Sequence, residues 1–119
     1  MITTALIAAS LLASGGGSFA IVVGYNQGTG PKETTLRYAD DDAIQYARLF
    51  EDLGSEVRLL VEMDEETRRL YPNPPPHRSP TLSNVSDALD DFDRWKARRN
   101  RTTLYFVYAG HGDVRRGEG

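Results

Sequence analysis

The stretch FAIVVG, residues 19–24, decides the fold of this chain. Its hydrophobicity is continuous, whereas a strand with one face in water would alternate apolar and polar residues. A short apolar run that ends in glycine is typical of a strand covered on both faces, as in a parallel sheet. We therefore expect residues 19–24 to form a central strand of an α/β domain.

Hydrophobic periodicity downstream predicts two helices and two more strands. A helix is expected from about Tyr38 to Leu53, where apolar residues recur at helical spacing, with Gly54 as its stop. Val57–Val61 and Thr102–Tyr108 are bounded apolar runs that indicate strands. Between them a second long helix is expected after the N-cap Thr81. Its predicted apolar stripe comprises Leu82, Val85, Leu89, Phe92 and Trp95.

The segment between the second strand and the second long helix has a different composition. Asp64–Leu70 allows a short helix, and the prolines of residues 72–80 then exclude a helix interior. A surface insertion is the expected structure of this segment. His77 lies within it and is expected to be exposed to solvent and not to act as a ligand.

The order β-α-β-α-β predicts a three-layer, doubly wound, mainly parallel α/β sheet with about three strands and two to three helices. In such sheets ligands and catalysis collect at the carboxyl ends of the strands, near the topological switch point. If the first and third strands are neighbours, the crevice lies between their ends.

Composition excludes several classes of protein. The 119 residues contain no cysteine, so disulfides, thiolate metal sites and a cysteine nucleophile within this chain are excluded. A net charge of −3 argues against a nucleic-acid partner. The basic run Arg94–Arg101 is explained by the preference for cations at a helix C-terminus.

We expect residues 1–18 to be a signal peptide or a disordered leader, ahead of a partial domain at 19–119. No charged side chain precedes Lys32, and the apolar stretch Ala5–Ala13 is too short to span a bilayer. The stretch is similar to the apolar and cleavage regions of a signal peptide, although it lacks a basic start. We expect an exported protein, periplasmic or secreted, if the leader is a signal peptide, and a cytoplasmic one otherwise.

His111 is the best single candidate for chemistry. Its ring titrates near neutrality, so it can act as a general acid or base. Glycines on both sides leave its backbone free and allow a substrate chain to approach closely. From position alone, a structural role for a histidine after a strand is equally open.

Three stretches together resemble the caspase-like cysteine peptidases, including metacaspases: YAGHG at 108–112, FAIVVGYN at 19–26 and LRYADDDA at 36–43. The resemblance implies a caspase-like fold and an endopeptidase that hydrolyses peptide bonds through a Cys–His dyad. It makes His111 the dyad histidine and the backbone N–H of Gly112 an oxyanion-hole donor. It implies a peptide or protein as substrate, and no cofactor or metal; the oligomeric state is left open.

The resemblance leaves the residue preference at P1 open between two side chains. Asp42 looks like the metacaspase residue that lines the S1 pocket and selects Arg or Lys. Arg37 lies near the arginine with which animal caspases select Asp. The ungapped metacaspase-like spacing favours basic P1, but Asp42 is also an ordinary first-turn helix residue. A calcium site from Asp40–Asp42 is disfavoured because consecutive acids point in different directions on a helix.

The absent cysteine is the main departure from the family pattern, in which the cysteine follows the next strand of the sheet. The chain therefore looks like the amino-terminal part of a peptidase domain, inactive by itself and with an unpaired edge on its third strand. Two alternatives stay open. One is a pseudo-peptidase that keeps the sheet for partner binding. The other is a flavodoxin-like ligand-binding domain suggested by the loop Gly24–Gly30, which lacks the GK[ST] of a P-loop.

Overall fold

The computed structural model describes residues 3–9, 17–26 and 39–110. This part of the chain contains five strands in one sheet and three helices, so the α/β prediction is confirmed with more strands than expected. None of the helices within those ranges is long and apolar enough to cross a membrane. The elements are β1 (Thr3–Ala9), β2 (Gly17–Tyr25), α1 (Ala39–Asp52), β3 (Glu56–Val61), α2 (Glu65–Leu70), β4 (His77–Arg78), α3 (Leu82–Lys96) and β5 (Thr102–Gly110).

The sheet order is β1-β5-β2-β3-β4, with β2, β3, β4 and β5 parallel to one another. The apolar run at 19–24 lies in β2, between β5 and β3, and every one of its residues is buried. Phe19 pairs with Leu104 of β5 on one side and with Glu56 of β3 on the other. The first and third predicted strands are β2 and β5, which pair with each other, so the expectation that they are neighbours is confirmed.

Helix α1 covers one face of the sheet. Its buried residues Ala43, Ile44 and Ala47 pack against a cluster that includes Val22 and Leu59. The helix ends where the sequence predicts, because Gly54 has a positive φ of 88° that few side chains tolerate.

Helix α3 covers the opposite face through aromatic residues. Phe92 and Trp95 each form an edge-to-face pair with Phe19, at 5.4 Å between ring centroids. The predicted stripe is wrong at Leu82 and Leu89, which are 89% and 41% exposed. Helical periodicity identifies the side of the helix that faces inward, but it does not say how far the sheet extends beneath that side.

Strand β1 lies within the segment interpreted as a leader. It pairs antiparallel with β5, from Thr3 opposite Gly110 to Ala9 opposite Leu104. The edge of β5 that was expected to be unpaired is therefore occupied, and that expectation is wrong. Export of the chain concerns its processing and remains a prediction.

The far edge of the sheet is protected by a side chain. Strand β4 pairs only with Leu59 and Leu60, so in the described ranges the first half of β3 has β2 on one side and no strand on the other. Arg58 donates to the backbone carbonyl of Val57 at 3.1 Å, and its guanidinium also pairs with Glu56 and Asp91. A charged side chain held against an open edge discourages pairing with another chain.

Candidate active site

Three parallel strands end side by side at one edge of the sheet. Gly24 of β2 lies opposite Val61 of β3, and Tyr25 of β2 lies opposite Gly110 of β5. The first turn of α1 lies over this edge, where Ala39 packs against Ala109. Ligand sites of open α/β sheets form at such carboxyl ends.

Two glycines make this close packing possible. A Cβ on Gly24 would lie 2.6 Å from the Cβ of Ala43 and 2.8 Å from the carbonyl oxygen of Ala39. A Cβ on Gly110 would lie 2.5 Å from the Tyr108 hydroxyl and 2.9 Å from the Tyr25 carbonyl oxygen. The start of α1 and the end of β5 can therefore approach β2 only because these side chains are absent.

A buried carboxylate joins three segments at this edge. Asp40 is fully buried, and its Oδ2 accepts a hydrogen bond from the backbone N–H of Asp64 at 2.9 Å. Its Oδ1 accepts from the N–H of Asp41 at 2.9 Å, and its own N–H donates to Asn26 Oδ1 at 3.1 Å. The end of β2, the start of α1 and the segment after β3 are thus tied to one another. A carboxylate that accepts backbone N–H groups at a helix N-terminus also interacts favourably with the helix dipole.

The side-chain amide of Asn26 is only partly hydrogen-bonded: its Oδ1 accepts from Asp40, but its Nδ2 does not donate to a described residue. The residue is 6% exposed, and its Nδ2 is a buried donor that has no partner among the described residues. The amide orientation follows from Oδ1, because a flipped amide would place two donors, Nδ2 and the Asp40 N–H, against each other. A buried donor without an acceptor lowers the free energy of unfolding by roughly 1–3 kcal/mol, and such groups are rare in folded proteins.

Asp42 lies on the first turn of α1, two residues beyond Asp40, and is half-buried. Burial first, and then the neighbouring charges of Asp41 and Asp40, raise the pKa of the Asp42 carboxyl. An open cavity of about 450 Å³ adjoins it, lined also by Gln45, Tyr46 and Leu49. The carboxylate therefore faces a space that a long side chain can enter.

Asp41 is engaged elsewhere. It accepts a hydrogen bond from the hydroxyl of Tyr71, and this bond is the main reason that the pKa of Tyr71 is raised. The three consecutive acids thus have different surroundings: Asp40 is tied to the backbone, Asp41 to a tyrosine, and Asp42 faces a cavity. In the ranges that the structure describes, no group of three or more His, Cys, Asp or Glu side chains could hold a metal ion.

Three of the four predicted site residues, Arg37, His111 and Gly112, lie outside the described residues. Asp42 is the one that the structure places. His111 is bonded directly to Gly110, the last residue of β5 and the partner of Tyr25. His77 is exposed as expected, with its Nδ1 3.0 Å from the carbonyl oxygen of Pro75.

The family model described as the caspase domain matches residues 18–119. The chain belongs to the caspase domain family. No curated protein and no solved structure matches the chain. As a peptidase family, it implies proteins as the class of substrate.

Two residues of this caspase domain were missed by reasoning from sequence. The sequence places Asn26 in the loop Gly24–Gly30 and Asp40 among three acids at a helix start. A signal for Asp40 was present, because it falls on the same helical face as Ile44 and Ala47. No signal in one sequence indicates that Asn26 is buried, since its hydrogen-bond partner comes from α1 and not from β2, the strand that it follows.

Proposed function

We propose that this caspase domain supplies the histidine and the oxyanion-hole donor of a Cys–His endopeptidase. The observation that carries the proposal is the register of β5 against β2, which ends with Gly110 beside Tyr25. His111 directly follows that strand end, and the first turn of α1 lies over the same edge.

The chemistry divides between this chain and a cysteine that its 119 residues do not contain. The thiolate attacks the scissile carbonyl carbon, and the Gly112 N–H donates to the oxygen that becomes negative. His111 gives a proton to the leaving amine as the C–N bond breaks, which leaves a thioester. Water, deprotonated by the same imidazole, then hydrolyses the thioester and restores the thiol.

Asp42 is proposed as the carboxylate that selects Arg or Lys at P1. Its half-buried position beside a cavity of about 450 Å³ supports the proposal, because a long cationic side chain can reach it there. A charge-assisted pair with Arg is strong where solvent is partly excluded. The alternative is a preference for Asp at P1 through Arg37, which peptides with Asp at P1 test.

The 119-residue chain is expected to show no turnover of peptides with Arg, Lys or Asp at P1, because it contains no thiol. The assay follows release of a fluorescent amine with each of the three peptides. Turnover that disappears in His111→Ala would contradict the assignment to cysteine chemistry. The coding sequence after codon 119 gives an independent test: an in-frame strand followed by a cysteine supports the enzyme, and a stop codon supports the pseudo-peptidase.

The charge of Asp42 is expected to govern binding of a capped tetrapeptide, acetyl-Ala-Ala-Arg-Ala-amide. Asp42→Asn should weaken binding by about tenfold or more, since hydrogen bonds to charged groups contribute roughly 1.5–3 kcal/mol. Affinity of the unchanged chain should fall as pH drops through the pKa of Asp42, because protonation removes the charge. Burial raises that pKa above its ordinary 3.8, so the loss begins at a higher pH than for an exposed aspartate.

The matched control is Asp52→Asn, an exposed acid in the last turn of the same helix. It should leave the affinity and its pH dependence unchanged. Equal binding of the Arg peptide and of a peptide with Ala in its place, in all variants, would exclude Asp42 as the specificity residue.

A further inference from the structure

A second cavity lies at the carboxyl edge of the sheet, on the side of β3. It has a volume of about 200 Å³ and is bounded by the ends of β2 and β3 and by α2; its lining residues are Gly24, Tyr25, Asn26, Glu62, Met63, Asp64 and Arg68. Pockets that enclose a whole small molecule measure about 300–1,000 Å³. This cavity can therefore hold only part of a ligand, such as one peptide unit or one side chain.

Asn26, one of the residues that line the cavity, has a hydrogen-bond donor that no described residue accepts from. Asn26 is 6% exposed, its Oδ1 accepts from the Asp40 N–H, and its buried Nδ2 has no partner in residues 3–9, 17–26 and 39–110. The oxygens of Asp40 that lie nearby already accept from Asp41 and Asp64. Within the part of the chain that the structure describes, no group accepts from this donor, and an acceptor oxygen from a ligand would complete its hydrogen bonding.

The charges around the cavity decide which acceptor fits. Glu62 and Asp64 are acidic and Arg68 is basic, so the lining carries one net negative charge. Asp64 is also held in place, because its Oδ1 caps α2 through the Thr67 N–H at 2.8 Å. An anionic ligand group is disfavoured by this charge, and a neutral carbonyl oxygen is not.

We infer that this cavity is a subsite for a bound peptide, in which Asn26 Nδ2 donates to a main-chain carbonyl oxygen of that peptide. The inference rests on the proposed function, since it takes the peptide substrate from it. The location agrees with such a role: Tyr25, which precedes Asn26, pairs with Gly110, which precedes His111. Because Asn26 is tied to the start of α1, the donor is held in place before the ligand arrives.

The direct test observes the Asn26 side-chain amide. In the isotopically labelled 119-residue chain, its NH2 resonances are followed by NMR while acetyl-Ala-Ala-Arg-Ala-amide is added. We expect a saturable downfield shift of one Nδ2 proton. Saturable binding seen elsewhere in the chain, with no shift of the Asn26 amide, would overturn the inference and leave the proposed function intact. Absence of any peptide binding would overturn the proposed function and the inference with it.

Asn26→Asp separates the two functions of the side chain, because it keeps an acceptor for the Asp40 N–H and removes the donor. We expect this variant to bind the peptide about three- to tenfold more weakly, the net effect of one neutral hydrogen bond. Asn73→Asp, the same change at an exposed position, should have no effect. Asn26→Ser, which adds no charge and has a hydroxyl one bond closer to the backbone than Nδ2, repeats the measurement should Asn26→Asp unfold the chain.

A purely structural role of Asn26 would change stability without distinguishing peptides. We therefore replace the peptide bonds of the ligand one at a time by alkene isosteres, which lack the carbonyl oxygen. One isostere should bind the unchanged chain more weakly than the parent peptide does. It should bind Asn26→Asp as well as the parent peptide does, because the protein variant has already lost the hydrogen bond that the isostere removes. Equal losses of affinity for the unchanged chain and for Asn26→Asp at every position would refute a hydrogen bond from Asn26 Nδ2 to the peptide.

Discussion

Replacing Asp40 by alanine is expected to destabilise the domain by about 3–5 kcal/mol. The carboxylate is fully buried and accepts the N–H groups of Asp41 and Asp64. Each backbone donor that loses its buried partner costs roughly 1–3 kcal/mol. Since whole domains are stable by only about 5–15 kcal/mol, a large part of the free energy of unfolding would be lost.

Urea denaturation followed by circular dichroism measures this effect. Asp40→Asn keeps one acceptor oxygen and should fall between the alanine variant and the unchanged chain. The control Asp52→Ala removes an exposed acid from the same helix and should change the free energy of unfolding by no more than about 0.5 kcal/mol. If Asp40→Ala and Asp52→Ala behaved alike, the carboxylate would not tie α1 to the segment after β3.

Replacing Phe19 by alanine is expected to cost about 3–5 kcal/mol, the range for a buried aromatic residue. The ring is fully buried and meets both Phe92 and Trp95 at 5.4 Å. The Arg58 guanidinium lies 5.0 Å from its centroid on the β3 side. Its removal leaves a cavity between β2 and α3, and the two edge-to-face ring contacts are lost with it.

Fluorescence reports this change directly, because Trp95 is the single tryptophan of the chain. We expect a lower urea midpoint and a red-shifted emission in the native state, as the indole becomes more exposed. Leu82→Ala is the control, since Leu82 belongs to the apolar stripe predicted for α3 but is 89% exposed. A cost for Leu82→Ala as large as that for Phe19→Ala would contradict the packing of α3.

Much of the candidate site followed from local features of the sequence. The strand before His111, the helix that carries Asp42 and the stop at Gly54 are each encoded by a few neighbouring residues. The likeness of three short stretches to caspase-like peptidases also needed no coordinates, and the family match over residues 18–119 agrees with it. The meeting of strand ends at one edge was expected from the parallel order alone.

The amino-acid sequence alone determined the type and order of the main elements, because periodicity, caps and glycine stops act within one helix or strand. Only the tertiary structure decided which polar groups are buried and which of them lack partners. Asp40 and Asn26 are buried and hydrogen-bonded through contacts made across the fold, between the end of β2, α1 and the segment after β3. The pairing of Thr3–Ala9 with β5 was likewise undetermined, since strand pairing depends on an edge about a hundred residues away along the chain.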